Sequence, residues 1–264
     1  MIEVVQGDGP LVLGLPHTGT DLPAEVAARL NDRGRALADT DWHVHRLYAG
    51  LAPMASKVRT TIHRYAIDVN RAPDGASLYP GQNTTGLVPL TDFDGAPIWQ
   101  DGAEPDAEEV ARLRDAYHAP YHEALAAEIA RVRERHGVAI LYDCHSIRST
   151  APFLFAGVLP DFNIGTDDGR SCATVVEEIV REVCDAAPVY STVVNGRFKG
   201  GWTTRHYGRP ETGVHAIQME LAQSTYMEEA PPWTWRADRA GRLRGHLARV
   251  LEALERLAAG AALR

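Results

Sequence analysis

The sequence predicts an α/β protein whose largely parallel sheet is covered by helices, and three observations lead there. Strand-like runs alternate with long amphipathic helices, the pattern of an α/β layer architecture. Two of the runs, LVLGL at 11–15 and VAILY at 138–142, are apolar throughout, as strands buried on both faces are. Each is followed at once by polar chemistry, His17 after the first and Asp143, Cys144, His145 and Ser146 after the second. In open α/β sheets, ligands bind at that edge.

In chain order, LVLGLPHTG reads as strand and turn, after which Asp21, Leu22 and Pro23 open AEVAARL as a capped helix. In DTDWHVHRLYAGLAP, Thr40 or Asp41 serves as N-cap for a helix with Trp42, Leu47, Tyr48 and Leu51 roughly on one face. VRTTIHRYAIDVN, at 58–70, mixes β-branched residues with partial alternation and suggests one or two strands ending at Asp68, Asn70 and Arg71. Residues 72–105 are rich in Gly, Pro, Asn, Asp and Thr, with Tyr79, Phe93 and Trp99 scattered through them. A loop of this length in a compact protein reads as a lid or pocket wall.

DAEEVARLRDAYHAPYHEALAAEIARVRERHG is one long helix, kinked or broken at Pro120 and stopped by Gly137. A further helix covers 166–187, with Asp167 or Asp168 near its start and Val176, Ile179, Val180 and Val183 on its core face. VHAIQMEL at 214–221 is another strand, and the last helix carries Leu243, Leu247, Val250, Leu251, Leu254 and Leu257 on one stripe.

Composition bounds the function. The 264 residues are 45% hydrophobic and 23% charged, as expected of a globular protein read here as a single domain over 1–264. A formal net charge of −8 disfavours nucleic acid and anionic membranes as partners, so an anionic ligand must be held by local arginines. Three cysteines without C-x-x-C spacing suggest neither a disulfide framework nor a cysteine zinc site, and fit a reducing cytosol. The start MIEVVQGDGP lacks the pattern of a signal peptide, and no apolar run approaches a bilayer span; a cytoplasmic location is expected.

His17 and His145, each just past an apolar strand, could together hold a divalent metal. A catalytic zinc site adds a third protein ligand, often a carboxylate, for which Asp21, Asp39 and Asp41 are candidates. Asp143 is placed to orient an imidazole instead. Glu220 puts a carboxylate on a mostly apolar strand, where a desolvated glutamate suits general-base work; an internal salt bridge is the alternative. Asn70 and Arg71 end another predicted strand, and a guanidinium matches a carboxylate at two points. GRFKGGWTTRHYGRP is either a flexible wall bringing Arg205 to a substrate or a surface hairpin. His118 and His122 flank Pro120 without an H-E-x-x-H pattern and read as helix-packing residues. Cys144 points opposite to its neighbours on the strand, Ser146 has no G-x-S-x-G elbow, and DGASLYPGQNTTG has no nucleotide-binding spacing.

The stretches LPHTGTDLP, DTDWHVHRLY, YAIDVNRAPDG, LYDCHSIRS, FKGGWTTRHYG and HAIQMELAQ, in this order along nearly the whole chain, resemble the N-formylglutamate amidohydrolases. That family is related to zinc carboxypeptidases and aspartoacylases, and the resemblance implies a three-layer α/β/α sandwich around a mixed, largely parallel sheet, phosphorylase/hydrolase-like. It implies His17 and His145 as metal ligands, Glu220 as the catalytic carboxylate and Arg71, beside Asn70, as the anchor for a substrate carboxylate. Zinc carboxypeptidases carry a glutamate three residues after the first histidine, whereas this chain has Thr20, so the third ligand comes from elsewhere; Asp41 is chosen over Asp39 and Asp21. Arg205 is assigned a second carboxylate contact and Arg148 the reaction's oxyanion.

The implied reaction is metal-dependent hydrolysis of N-formyl-L-glutamate to L-glutamate and formate in histidine degradation, through a metal-activated water. The metal is expected to be Zn²⁺, although the same donors accept Co²⁺, Ni²⁺, Mn²⁺ or Fe²⁺. The alternatives are a metal-dependent amidohydrolase or carboxypeptidase-like enzyme for another N-acyl amino acid or small peptide, and a non-catalytic metal-containing binder of an acidic metabolite.

Overall fold

A computed structural model describes residues 1–77 and 81–263. Its sheet has seven strands: β1 (Ile2–Val5), β2 (Leu11–Leu15), β3 (Ser56–Thr60), β4 (Ala139–Ile147), β5 (Phe162–Gly165), β6 (Thr192–Val194) and β7 (Val214–Ala222). They lie in the order β1-β3-β2-β4-β7-β5-β6. The central block β3-β2-β4-β7 is parallel, while β1 runs against β3 and β5 against β7, so the sheet is mixed and mostly parallel.

The helices are α1 (Ala24–Arg29), α2 (Asp32–Arg35), α3 (Val44–Leu47), α4 (Ala107–Leu113), α5 (Ala119–His136), α6 (Thr174–Asp185), α7 (Trp202–Tyr207) and α8 (Ala237–Ala259). Strand alternation sorts the core into two layers. Leu11, Leu13, Ile140, Tyr142, Cys144, Ile217 and Met219 face one core with α3, α6 and α8. Val12, Ala139, Leu141, Val214 and Ala216 face the other, with α1 and α5. The three-layer sandwich is therefore present. Among the described residues no helix is long and apolar enough to cross a membrane.

Several elements differ from expectation. β4 does not stop at Asp143 but runs through the polar cluster to Ile147, buried along its whole length. The stretch 58–70 yields only the end of β3; the chain then turns irregularly through His63–Arg71, with a single bridge from Ile62 to Asp21. The helix expected after Thr40 shrinks to α3, entered through His43 in the left-handed region (φ 64°), because Asp41 is turned toward the histidines instead of capping. α1 starts after Pro23 without a side-chain cap, and α6 begins at Thr174, leaving Asp167 and Asp168 in a preceding turn. GRFKGGWTTRHYGRP contains α7.

The long helix is interrupted as expected, and the form is specific. Arg114–His118 makes a π-helical turn, closed by the Ala119 N–H on the Arg114 carbonyl. Widening the turn just before Pro120 accommodates the missing donor and the ring's clash with the preceding turn. Gly137, at φ 75°, ends α5 in the left-handed cap that glycine adopts without strain. In the loop 72–105, Asn83, Thr84, Thr85 and Phe93 form part of a cavity wall, while Tyr79 lies outside the described residues.

Candidate metal centre and active site

The site lies past the carboxyl ends of β2, β4 and β7. On β4, Ala139 and Leu141 face the α5 core, so the same alternation sends Asp143 and His145 out on that face. On β7, Val214 and Ala216 are followed on that face by Gln218 and Glu220. Asp143 pairs in register with Gln218 and His145 with Glu220, which sets four polar side chains side by side. Gly14 stands opposite Asp143 on β2, and a Cβ there would come within 3.0 Å of Asp143 Oδ1. Cys144 points into the other core, as expected.

Three buried groups converge. His17 Nδ1 is 3.2 Å from His145 Nδ1, and Asp41 Oδ2 is 3.7 Å from the former and 3.3 Å from the latter. Asp41 is tied to both ligand loops, its N–H donating to the His17 carbonyl (3.0 Å) and its Oδ2 accepting from the Ser146 N–H (3.1 Å). Carboxylates stand at the other ring nitrogens: His17 Nε2 is hydrogen-bonded to Asp68 Oδ1 at 2.7 Å, and His145 Nε2 lies at ion-pair distance, 3.0 Å, from Asp143 Oδ2. With the proton on Nε2 of each ring, the two Nδ1 atoms would turn their lone pairs toward Asp41 Oδ2. Such a set of ligand atoms could hold a cation, and the Arg64 guanidinium already stands 2.7 Å from His17 Nδ1.

The spacing fits one. Tetrahedral bonds of roughly 2.0–2.2 Å place ligand atoms roughly 3.3–3.6 Å apart, close to the three separations observed. His17, Asp41 and His145 are also the one group of metal-ligating side chains that comes together among the described residues. Asp21 is exposed, and Asp39 Oδ2 is taken by the Tyr65 hydroxyl (2.7 Å) and the Phe93 N–H (2.8 Å), which removes both from contention.

Electrostatics point the same way. Burial would pull the His145 imidazole down, but the carboxylates of Asp143, Asp41 and Glu220 hold it well above its usual range. Burial pushes Asp41 and Asp68 up, yet both stay well below the ordinary carboxylate range, Asp41 through His145, His17 and Arg64 and Asp68 through His17, Arg64 and Arg71. The site favours positive charge. Glu220 behaves differently: burial raises its carboxyl to about 7, with His145 opposing and Asp41 reinforcing the rise. Its Oε2 accepts from Gln218 Nε2 at 3.1 Å.

The cavity above these groups is lined by His17, Asp41, Arg64, Arg71, Arg197 and Glu220, with an apolar side of Phe93, Ile147, Leu154 and Phe198. Asn70 also lines it, with Nδ2 3.2 Å from His145 Nε2 and Oδ1 accepting the Thr203 N–H at 2.9 Å. Arg71 reaches the wall, where its guanidinium donates to Thr85 Oγ1 at 3.1 Å. Among the described lining residues neither Arg148 nor Arg205 is found. Arg148 pairs with Asp94 (3.0 Å) and Arg205 with Asp167 (3.1 Å).

Sequence reasoning missed three residues. Arg64 is buried, with Nη2 2.7 Å from His17 Nδ1 and 3.2 Å from Asp68 Oδ2. Asp68 orients His17, and Arg197 brings a guanidinium to the far wall, held by the Leu154 and Asn83 carbonyls at 3.0 and 3.1 Å. Arg197 was legible within GRFKGG, the same stretch that drew attention to Arg205.

A family model described as N-formylglutamate amidohydrolase matches residues 9–227. The chain is 48% identical over 255 residues to the N-formylglutamate deformylase of Pseudomonas aeruginosa, covering 96% of each chain. It is 48% identical over 250 residues to that of Pseudomonas putida, covering 94% of this chain and 93% of the relative. The crystal structure of an N-formylglutamate amidohydrolase from Ralstonia eutropha JMP134 superposes with a TM-score of 0.81 at 25% identity, over 97% of this chain and 98% of that one. The chain belongs to the N-formylglutamate amidohydrolase family.

Proposed function

We propose that the protein hydrolyses N-formyl-L-glutamate to L-glutamate and formate, with a divalent cation, Zn²⁺ by donor chemistry, held by His17, His145 and Asp41. The observation that carries this reading is the convergence of those three donors with Glu220, Arg64, Arg71 and Arg197 around one cavity. A cation bound there would supply Lewis acidity, which lowers the pKa of a bound water from 15.7 toward roughly 7 and would polarise the formyl carbonyl.

The chain's own residues carry the rest. Glu220, buried and raised to about 7, accepts the proton of the attacking water and returns it to the departing amine nitrogen, a shuttle that needs a carboxyl able to hold and release a proton near neutrality. Arg64 stabilises the negative charge that develops on the carbonyl oxygen, the role the sequence assigned to Arg148. Arg71 and Arg197 hold the two carboxylates of the substrate, Arg197 replacing Arg205. The apolar wall of Phe93, Leu154 and Phe198 shields the reacting group from bulk water.

Release of formate, acetate and free amino acid from N-formyl-, N-acetyl- and unsubstituted dipeptide forms of glutamate tests this. Turnover that favours the formyl compound supports it. Equal or greater release of acetate assigns the site to another N-acyl amino acid, and tight binding without turnover of any of them makes the protein a binder.

A further inference from the structure

Arg71 belongs to a segment, 68–71, with no regular structure, and its neighbours must therefore be fixed by specific donors. Some bonds are local or close by: the Asn70 N–H donates to Asp68 Oδ1 (2.9 Å), the Arg71 N–H to the Asp68 carbonyl (3.1 Å) and the Asp68 N–H to the Leu87 carbonyl (2.7 Å). The carbonyls on either side of Asn70 are met from the interrupted helix. His122 Nε2 donates to the Val69 carbonyl at 2.7 Å, and His118 Nε2 to the Arg71 carbonyl at 2.9 Å. A helix has no spare backbone N–H at mid-length, so only side chains can make these bonds.

The two rings lie 4.5 Å apart between centroids. They belong to the two sides of the π-helical junction, His118 closing the widened turn and His122 in the first turn of α5, and such junctions recur at functional sites. Trp202 packs on both, at 5.7 Å from His118 and 4.6 Å from His122. The Trp202 and Thr203 N–H groups are held in turn by the carbonyl (3.3 Å) and Oδ1 (2.9 Å) of Asn70. Gly201 permits this approach, since a Cβ there would meet the Asn70 amide at 2.3 Å. The circuit closes on Asn70 and Arg71.

We propose that His118 and His122 are positioning residues that clamp the Asn70–Arg71 backbone and thereby set where Arg71 meets the substrate's carboxylate. This rests on the reading of Arg71 as a carboxylate anchor. Both histidines are nearly inaccessible to solvent, and burial holds His122 down at about 3 and His118 below its ordinary value, which keeps each ring neutral with Nε2–H available.

The test compares formate release by wild type, His118→Phe, His122→Phe, His118→Gln and His122→Gln, together with crystal structures of the Phe variants. Phenylalanine keeps the ring and loses the donor, whereas glutamine restores an N–H near Nε2. The Phe variants should raise KM about tenfold while kcat changes by less than about threefold, the mark of lost uniform binding, and Arg71 should move by about 1 Å or more. The Gln variants should recover most of the KM. Where a Phe variant fails to fold, the matching Leu variant carries the same comparison. Wild-type KM in the donorless variants, or Arg71 unmoved in their crystals, overturns the clamp. A wild type that releases no formate overturns the substrate reading alone, and the position of Arg71 in the variant crystals then decides the clamp.

Discussion

His145 and Glu220 are register partners on adjacent parallel strands, so both leave the same face of the sheet at its ligand-binding edge. The proposed metal ligand and the proposed proton-transferring carboxylate are thus set side by side by the pairing of the two strands. Glu220→Gln keeps the shape and the bond to Gln218 but removes the base. The expected result is a kcat lower by about 10²–10⁴-fold with metal content unchanged, read from formate release and elemental analysis. Activity within a few-fold of wild type would remove Glu220 from the chemistry.

Arg64 and Arg148 separate two readings of the oxyanion contact. Arg64 lines the cavity beside His17, whereas Arg148 is paired with Asp94 away from it. Arg64→Ala should lower kcat by about 10²–10³-fold, and Arg148→Ala should leave kcat within a few-fold. The reverse order would restore the role to Arg148. Arg64→Ala also leaves Asp41 and Asp68 with less countercharge, so metal content is to be measured in the same samples.

The strand-borne part of the site was legible because it follows from alternation. An apolar run fixes which face is core, and the polar residues that continue it, Asp143, His145 and Glu220, inherit a face and an edge. His17 followed from the same logic at the end of β2. Arg64 and Asp68 were not legible, because they sit in an irregular turn that mimics a strand by its β-branched composition and is held by tertiary bonds, including those from His118 and His122. α7 was hidden for a related reason. Two glycines precede it, and its first N–H groups are satisfied by Asn70, far away in sequence.

Removing the cation should destabilise the fold as well as stop turnover. Asp41, Asp68, Asp143 and Glu220 are all buried around the two histidines, and without a cation their repulsion is offset by the histidines together with Arg64 and Arg71. Chelation should lower Tm by several degrees, with re-addition of one equivalent of Zn²⁺ restoring it. An unchanged Tm in chelator, with metal shown to be gone, would contradict a cation bridging these groups.

Acid should destabilise the protein through buried neutral histidines. His63, whose Nε2 bonds Thr40 Oγ1 and whose Nδ1 accepts the Tyr65 N–H, is held by burial at about 3, as is His122. In the unfolded chain each titrates near 6.5, so between 6.5 and 3 the unfolded state binds more protons. The stability they contribute is full above 6.5 and falls with acidification by about 1.4 kcal/mol per pH unit for each group. Urea unfolding from pH 7 to pH 4 should show a shallower loss for His63→Gln than for wild type; equal slopes would contradict a neutral His63.

The most direct test of the account is an anomalous difference map from crystals grown with zinc, recorded on both sides of the zinc absorption edge. The account predicts one strong peak roughly 2.0–2.2 Å from His17 Nδ1, His145 Nδ1 and Asp41 Oδ2, with Glu220 beside His145 on the neighbouring strand. No peak between those three atoms at full zinc loading, or a peak bound by other residues, would contradict it.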